Sequence, residues 1–147
     1  MGQTNSIYDC TVQILIYIDE NIARVDQQLN TKGIYLIDNQ LGTKNAHPAL
    51  PITPGYVTTV ARNDKIYWRI FLVDPNSKGS VEITSIGNCK AWGFNGQPEK
   101  AYDSLTAYSG RAEEPGNHAY NISINLITND GNGMTLDFNH SLHVLNS

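Results

Sequence analysis

The stretch Asn63-Asp64-Lys65-Ile66-Tyr67-Trp68-Arg69-Ile70-Phe71-Leu72-Val73 constrains the fold more than any other part of the chain. It opens on a turn pair and continues as an apolar, aromatic and β-branched run. Successive side chains of a strand point to opposite faces, so Ile66, Trp68, Ile70 and Leu72 share one face and Tyr67, Arg69, Phe71 and Val73 the other. Large side chains on both faces predict a central strand that is covered on both sides. Trp68, alternating with Ile66 and Ile70, belongs to the core on this pattern.

Other segments repeat the period of two. Thr11 to Ile18 places Val12, Ile14, Ile16 and Ile18 on one face, and Leu15 and Tyr17 make the other face apolar as well. Asp19 to Leu29 shifts to helical spacing through Ile22, Val25 and Leu29, with Asp19 placed to cap the start. Gly33 to Ile37 is a short strand. Asp38 to Pro54, with Gly42, Pro48, Pro51 and Pro54, reads as a loop region. Tyr56 to Ala61 and Lys65 to Val73 are predicted to form a hairpin across Arg62-Asn63-Asp64. Asp74 to Gly79 is a turn cluster. In Ser80 to Ile86, Val81, Ile83 and Ser85 oppose Glu82, Thr84 and Ile86.

Residues 87–116 are irregular and rich in Gly, Asn and Pro; a segment of that length is functional or hides short strands. His118 to Thr128 alternates, with Tyr120, Ile122, Ile124 and Leu126 inward. Asn129-Asp130-Gly131-Asn132-Gly133 is a hairpin turn. Met134 to Phe138 and Leu142 to Leu145 close the sheet as two strands. The expected fold is all-β: a two-sheet antiparallel sandwich with one short helical segment, occupying residues 1–147 as a single domain.

Composition narrows the function. Charged residues are 16% of the chain and the formal net charge is −4. The ten positive residues are scattered, which argues against nucleic-acid binding, since phosphate contacts need a concentrated positive field. Low charge density leaves weak self-repulsion and permits dense self-association, so a homo-oligomer is expected, with edge strands available to pair between copies. Cys10 and Cys89 lie outside any Cys-x-x-Cys pair, so neither a zinc site nor another metal is predicted; two separate buried thiols are favoured over a disulfide. The apolar run Ile14 to Ile18 falls short of the roughly 20 residues that span a bilayer, so no membrane association is expected. Met1 to Asp9 has no signal-peptide pattern, which gives a cytoplasmic location by default and leaves signal-independent export open.

Four segments in order, Ile14 to Asp19, Tyr35 to Ile37, Asn63 to Arg69 and Leu136 to Val144, give the chain a resemblance to the bacterial inclusion-body proteins of the PixA and AidA type. Ile14-Leu15-Ile16-Tyr17-Ile18-Asp19 is similar to that family's opening strand, and Tyr35-Leu36-Ile37 to its short Tyr-Met-Ile strand. Asn63-Asp64-Lys65-Ile66-Tyr67-Trp68-Arg69 is similar to its Gly-Asp-x-Ile-Arg-Trp-Arg block. Leu136-Asp137-Phe138-Asn139-His140-Ser141-Leu142-His143-Val144 is similar to its closing strand. Asn63 stands in place of Gly, Tyr67 in place of the first Arg, and Asn139-His140 in place of Asp-Pro; residues 87–116 do not align. The resemblance implies an immunoglobulin-like fold and an abundant, non-enzymatic protein of cytoplasmic inclusions in host-associated bacteria. It brings no catalytic residues and no cofactor.

The residues themselves supply no catalytic motif. His140 and His143 could meet in a final turn with Asp137, but an exposed polar strand end explains them better than a metal site. Glu113-Glu114 reads as solvated charge. Asp130-Gly131-Asn132-Gly133 and Asp74-Pro75-Asn76-Ser77 are turns before they are calcium loops, because the distant bidentate Glu is lacking. The rival function is that of a lectin-like, carbohydrate-binding module. A flat aromatic beside amide and carboxylate groups suits a glycan, and residues 87–116 hold Asn88, Trp92, Asn95, Gln97, Asp103 and Tyr108 as candidate ligand-binding residues. The alternative for that loop is that Trp92 and Phe94 cap one end of the core.

Overall fold

A computed structural model of the chain describes residues 10–22, 33–39, 50–51, 57–101, 104 and 106–146. Two sheets face each other as a sandwich. The larger contains β1 (Val12–Ile18), β2 (Ile34–Asp38), β3 (Leu50–Pro51), β5 (Lys65–Leu72), β7 (Glu99–Lys100) and β8 (Tyr108–Arg111), in the order β3-β2-β1-β5-β8-β7. The smaller contains β4 (Val57–Val60), β6 (Ser80–Ile86), β9 (Gly116–Ile127) and β10 (Gly133–Val144), in the order β4-β10-β9-β6. The expected sandwich is present, but its sheets are mixed instead of antiparallel throughout. β1 runs parallel to β5, with Val12 opposite Ile66 and Ile18 opposite Leu72, and β4 runs parallel to β10.

The period-two pattern places the core. Val12, Ile14, Ile16 and Ile18 of β1 are fully buried, and Ile66, Trp68 and Ile70 of β5 join them from the adjacent strand. From the other sheet, Ile83, Ile122, Ile124, Leu126 and Leu142 complete the same apolar cluster. The second face of β5 is covered in part: Tyr67 is buried against Cys10, Ala101 and Ala107. Farther along, Arg69 lies over the Phe71 ring at 4.9 Å, and Phe71 stacks on Tyr17. No disulfide joins Cys10 and Cys89.

Three sequence expectations are corrected. First, the predicted hairpin across Arg62-Asn63-Asp64 is a corner, because β4 and β5 lie in different sheets. Asp64 Oδ2 accepts the Ala61 N–H at 2.8 Å, and Asn63 takes φ +73°, a left-handed conformation that Asn tolerates better than most side chains. Second, a bulge between Ile83 and Ser85 inserts Thr84 and reverses the alternation of β6. Ile86 therefore points inward and Ser85 outward. Third, Met134 to Leu145 is one long strand, so His140 lies in mid-strand opposite Tyr120.

At the predicted helix start, residues 20–22 are helical and Asp19 Oδ1 accepts from the N–H groups of Asn21 and Ile22. Its predicted continuation to Leu29 lies outside the described residues. Glu20 is buried and ties two turns together, accepting from Ser77 Oγ at 2.7 Å and from the Asn129 N–H at 3.1 Å.

The outermost strands of both sheets are short or obstructed. β3 and β7 have two residues each and β4 has four. β6 is longer, but it carries the bulge, and Tyr108 Oη donates to the Thr84 carbonyl at 2.6 Å. Such features blunt those strands as templates for ladder pairing; β10 extends beyond β4, which pairs only its residues Ser141–Val144.

Candidate functional site

Two places in the sandwich hold side chains that core packing alone does not explain. The first is a polar chain inside it. Asp38, Thr58, Trp68, Tyr120 and His140 are each at most 4% exposed. The Thr58 hydroxyl donates to Asp38 Oδ2 at 2.8 Å and lies 3.1 Å from His140 Nε2. A hydroxyl has one proton, so with that proton directed to Asp38, Thr58 Oγ1 accepts from His140 Nε2–H. His140 Nδ1 then carries the lone pair and accepts from Tyr120 Oη at 2.8 Å. Tyr120 Oη in turn accepts from Trp68 Nε1–H at 2.8 Å. The donors all run one way, from Trp68 in the larger sheet through three strands of the smaller sheet and back to Asp38.

Burial favours the uncharged forms here. It pulls the His140 pKa from 6.5 down to about 3, which matches the single-proton tautomer, and it pushes the Tyr120 hydroxyl well above its ordinary value. Edge-on ring contacts surround the chain: Trp68 to Trp92 at 5.5 Å, Trp92 to Tyr120 at 5.2 Å and Tyr120 to His140 at 5.4 Å. His140 is therefore no exposed strand end. The order of groups resembles a proton relay, but no member is open to a substrate. The chain instead joins the two sheets through satisfied polar contacts.

The second place is the turn that follows β6. Cys89 caps a 3-10 turn, Lys90–Trp92, its sulfur accepting from the Ala91 N–H at 3.5 Å. Trp92 is fully buried and donates its indole N–H to the Gly87 carbonyl at 3.0 Å. Phe94, two residues on, is 89% exposed. The backbone between them is firmly held. Gly96 N–H donates to the Trp92 carbonyl at 2.8 Å, and Arg111 N–H to the Gly96 carbonyl at 3.0 Å. A Cβ at Gly96 would stand 2.1 Å from the Arg111 oxygen, so only glycine fits. The Glu113 carboxylate accepts from the Asn95 N–H and pairs with Arg111 at 2.7 Å. Burial alone would raise its pKa; the Arg111 contact and the N–H groups of Asn95 and Phe94 outweigh that and hold it below the usual carboxylate value.

This turn borders an open depression of about 620 Å³ lined by Asn88, Cys89, Lys90, Gly93, Phe94, Gln97 and Glu114. Of the six residues singled out for ligand binding, it gathers Asn88 and Gln97. Asn95 is exposed on the same turn. Trp92 offers no free ring face, because all of it is inside the core, and Tyr108 is buried with its hydroxyl engaged by Thr84. Asp103 lies outside the described residues. The sequence offers Trp92 as a ligand-binding candidate, or Trp92 and Phe94 together as a core cap, reads Glu114 as solvated charge and does not single out Lys90; the structure buries Trp92 and exposes Phe94. No periodicity distinguishes two aromatics in an irregular loop; the 3-10 turn decides which one enters.

The remaining candidates are local structure. His140 faces the interior and His143, three residues on, faces outward to Asn117 Oδ1 at 2.6 Å. Asp74 Oδ1 accepts from the Asn76 N–H, and the Thr128 N–H donates to the Asn132 carbonyl, so both acidic segments are hydrogen-bonded turns. Among the described residues, no three His, Cys, Asp or Glu side chains are grouped to hold a metal, and no helix is long and apolar enough to cross a membrane.

Comparison with known proteins agrees with this architecture. No curated protein matches the chain. Among solved structures, the inclusion body protein PixA from Burkholderia cenocepacia J2315 superposes with a TM-score of 0.69 at 13% identity, covering 96% of this chain and 99% of that one. The expected PixA-type likeness therefore holds at the level of the fold. Residues 10–135 match a family described as a domain of unknown function, DUF8788. That match runs from the start of β1 into β10, and the chain belongs to this family.

Proposed function

We propose that the protein is a non-enzymatic, self-associating protein of the PixA/AidA inclusion-body type. The observation that carries this reading is the likeness to PixA over nearly the whole of both chains. The interior supports it: the one described arrangement that resembles a catalytic relay is sealed and internally satisfied. A net charge of −4 and 16% charged residues leave little repulsion between copies. With the outermost strands short or obstructed, association relies mainly on side-chain surfaces. On this reading the protein accumulates in the cytoplasm of a host-associated bacterium. Sedimentation velocity over a concentration series tests the central claim. Reversible, concentration-dependent oligomers are expected; a monomer at every concentration overturns it.

A further inference from the structure

We infer that the depression beside Phe94 is a binding site for a neutral carbohydrate, with the Phe94 ring as its stacking platform. Three observations converge. A phenyl ring that is 89% exposed sits on a turn whose backbone is pinned by hydrogen bonds to Trp92, Glu113 and Arg111, so its exposure is built into the fold. The groups around it are polar and open: Asn88, Lys90, Gln97 and Glu114 border the depression, and Asn88, Lys90 and Glu114 are exposed. Gln97 is oriented by donating Nε2–H to the Gly93 carbonyl at 3.3 Å, which leaves its Oε1 directed elsewhere as an acceptor.

The chemistry of the ligand follows from these groups. A wholly apolar molecule needs an enclosing pocket that removes most of its surface from water, and this depression is open. A strongly charged ligand needs a field of one sign, whereas Lys90 and Glu114 bring opposite charges to the same lining. A pyranose satisfies both conditions. Its C–H face lies flat on an aromatic ring, and its hydroxyls reach the amides of Asn88 and Gln97, the Lys90 ammonium and the Glu114 carboxylate. No calcium is required, because a single carboxylate borders the site.

An array of immobilised neutral mono- and oligosaccharides, probed with the full chain with and without calcium, tests this. Wild type should bind a defined subset equally in both conditions, and Phe94→Ala should lose on the order of tenfold or more in affinity, since a well-formed stacking contact is worth about that much. Matched thermal unfolding should show Phe94→Ala folded like wild type. A blank array from folded wild type overturns the site. So does binding that persists in Phe94→Ala, or binding that needs calcium. A blank array combined with smaller oligomers for Phe94→Ala assigns the ring to contact with a second copy and also overturns the carbohydrate reading.

Discussion

The interior of this sandwich and its Phe94 turn invert the usual placement of side chains. Inside, Asp38, Thr58 and His140 are buried among the apolar strands; outside, a phenyl ring stands almost fully in water. Each inversion has a different basis. The buried groups hand one hydrogen bond to the next between the sheets, so their desolvation is offset within the chain itself. The exposed ring has no such contact among the described residues, and its turn holds it there. An internal contact explains the first region; the proposed carbohydrate supplies an external one for the second.

The largest test of that contrast separates the two aromatics of the turn. Trp92→Ala removes a ring that touches Trp68 and Tyr120, and should cost roughly 3–5 kcal/mol in urea unfolding. A loss below about 1 kcal/mol would show that Trp92 is not core.

Acid is the next largest probe. His140 has a folded-state pKa of about 3 against an ordinary 6.5, so the unfolded chain takes up a proton that the folded chain refuses. Its contribution is complete above pH 6.5 and is lost as pH falls from there toward 3, by several kcal/mol in all. His140→Gln should be less stable at neutral pH, and its gap to wild type should narrow with acid. A gap that stays constant from pH 7 to pH 4 would rule out His140 as a source of acid sensitivity.

Smaller still is Tyr120→Phe. It keeps the ring but strands Trp68 Nε1–H and His140 Nδ1, which should cost about 1–3 kcal/mol. An unchanged midpoint would mean that the polar chain contributes nothing to stability. Phe94→Ala should have the least effect, within about 0.5 kcal/mol in the same assay. A larger loss would place the ring against its own protein.

Legibility in the sequence followed the same divide. The strands were readable wherever a buried face imposed a period of two, as in β1, β5 and β9. The register broke where one inserted residue, Thr84, reversed the pattern; nothing in Ile-Thr-Ser-Ile announces a bulge. Arg62-Asn63-Asp64 announced a change of direction, but the same residues serve a hairpin or a corner, and only pairing partners far along the chain decide between them. The polar chain was invisible for a similar reason. Its five members come from five strands, and His140 read as solvent-facing because its neighbours in sequence are polar. At the turn, composition singles out Asn88 and Gln97, which line the depression, whereas residue type alone does not tell whether Trp92 or Phe94 enters the core.

The two parallel pairings also set how the molecule must be assembled in time. Val57 takes its ladder partner at Ser141, and Val12 takes one at Ile66. β4 thus has no ladder until β10 is in place, and β10 also pairs along its whole length with β9. Closing such distant contacts is slow, on the order of milliseconds to seconds for sandwiches of this kind. During that interval β4 presents backbone that the finished protein pairs with β10. Backbone that β10 covers in the native sandwich is open in the unfinished one, so an incomplete chain offers other copies a template that the native surface does not.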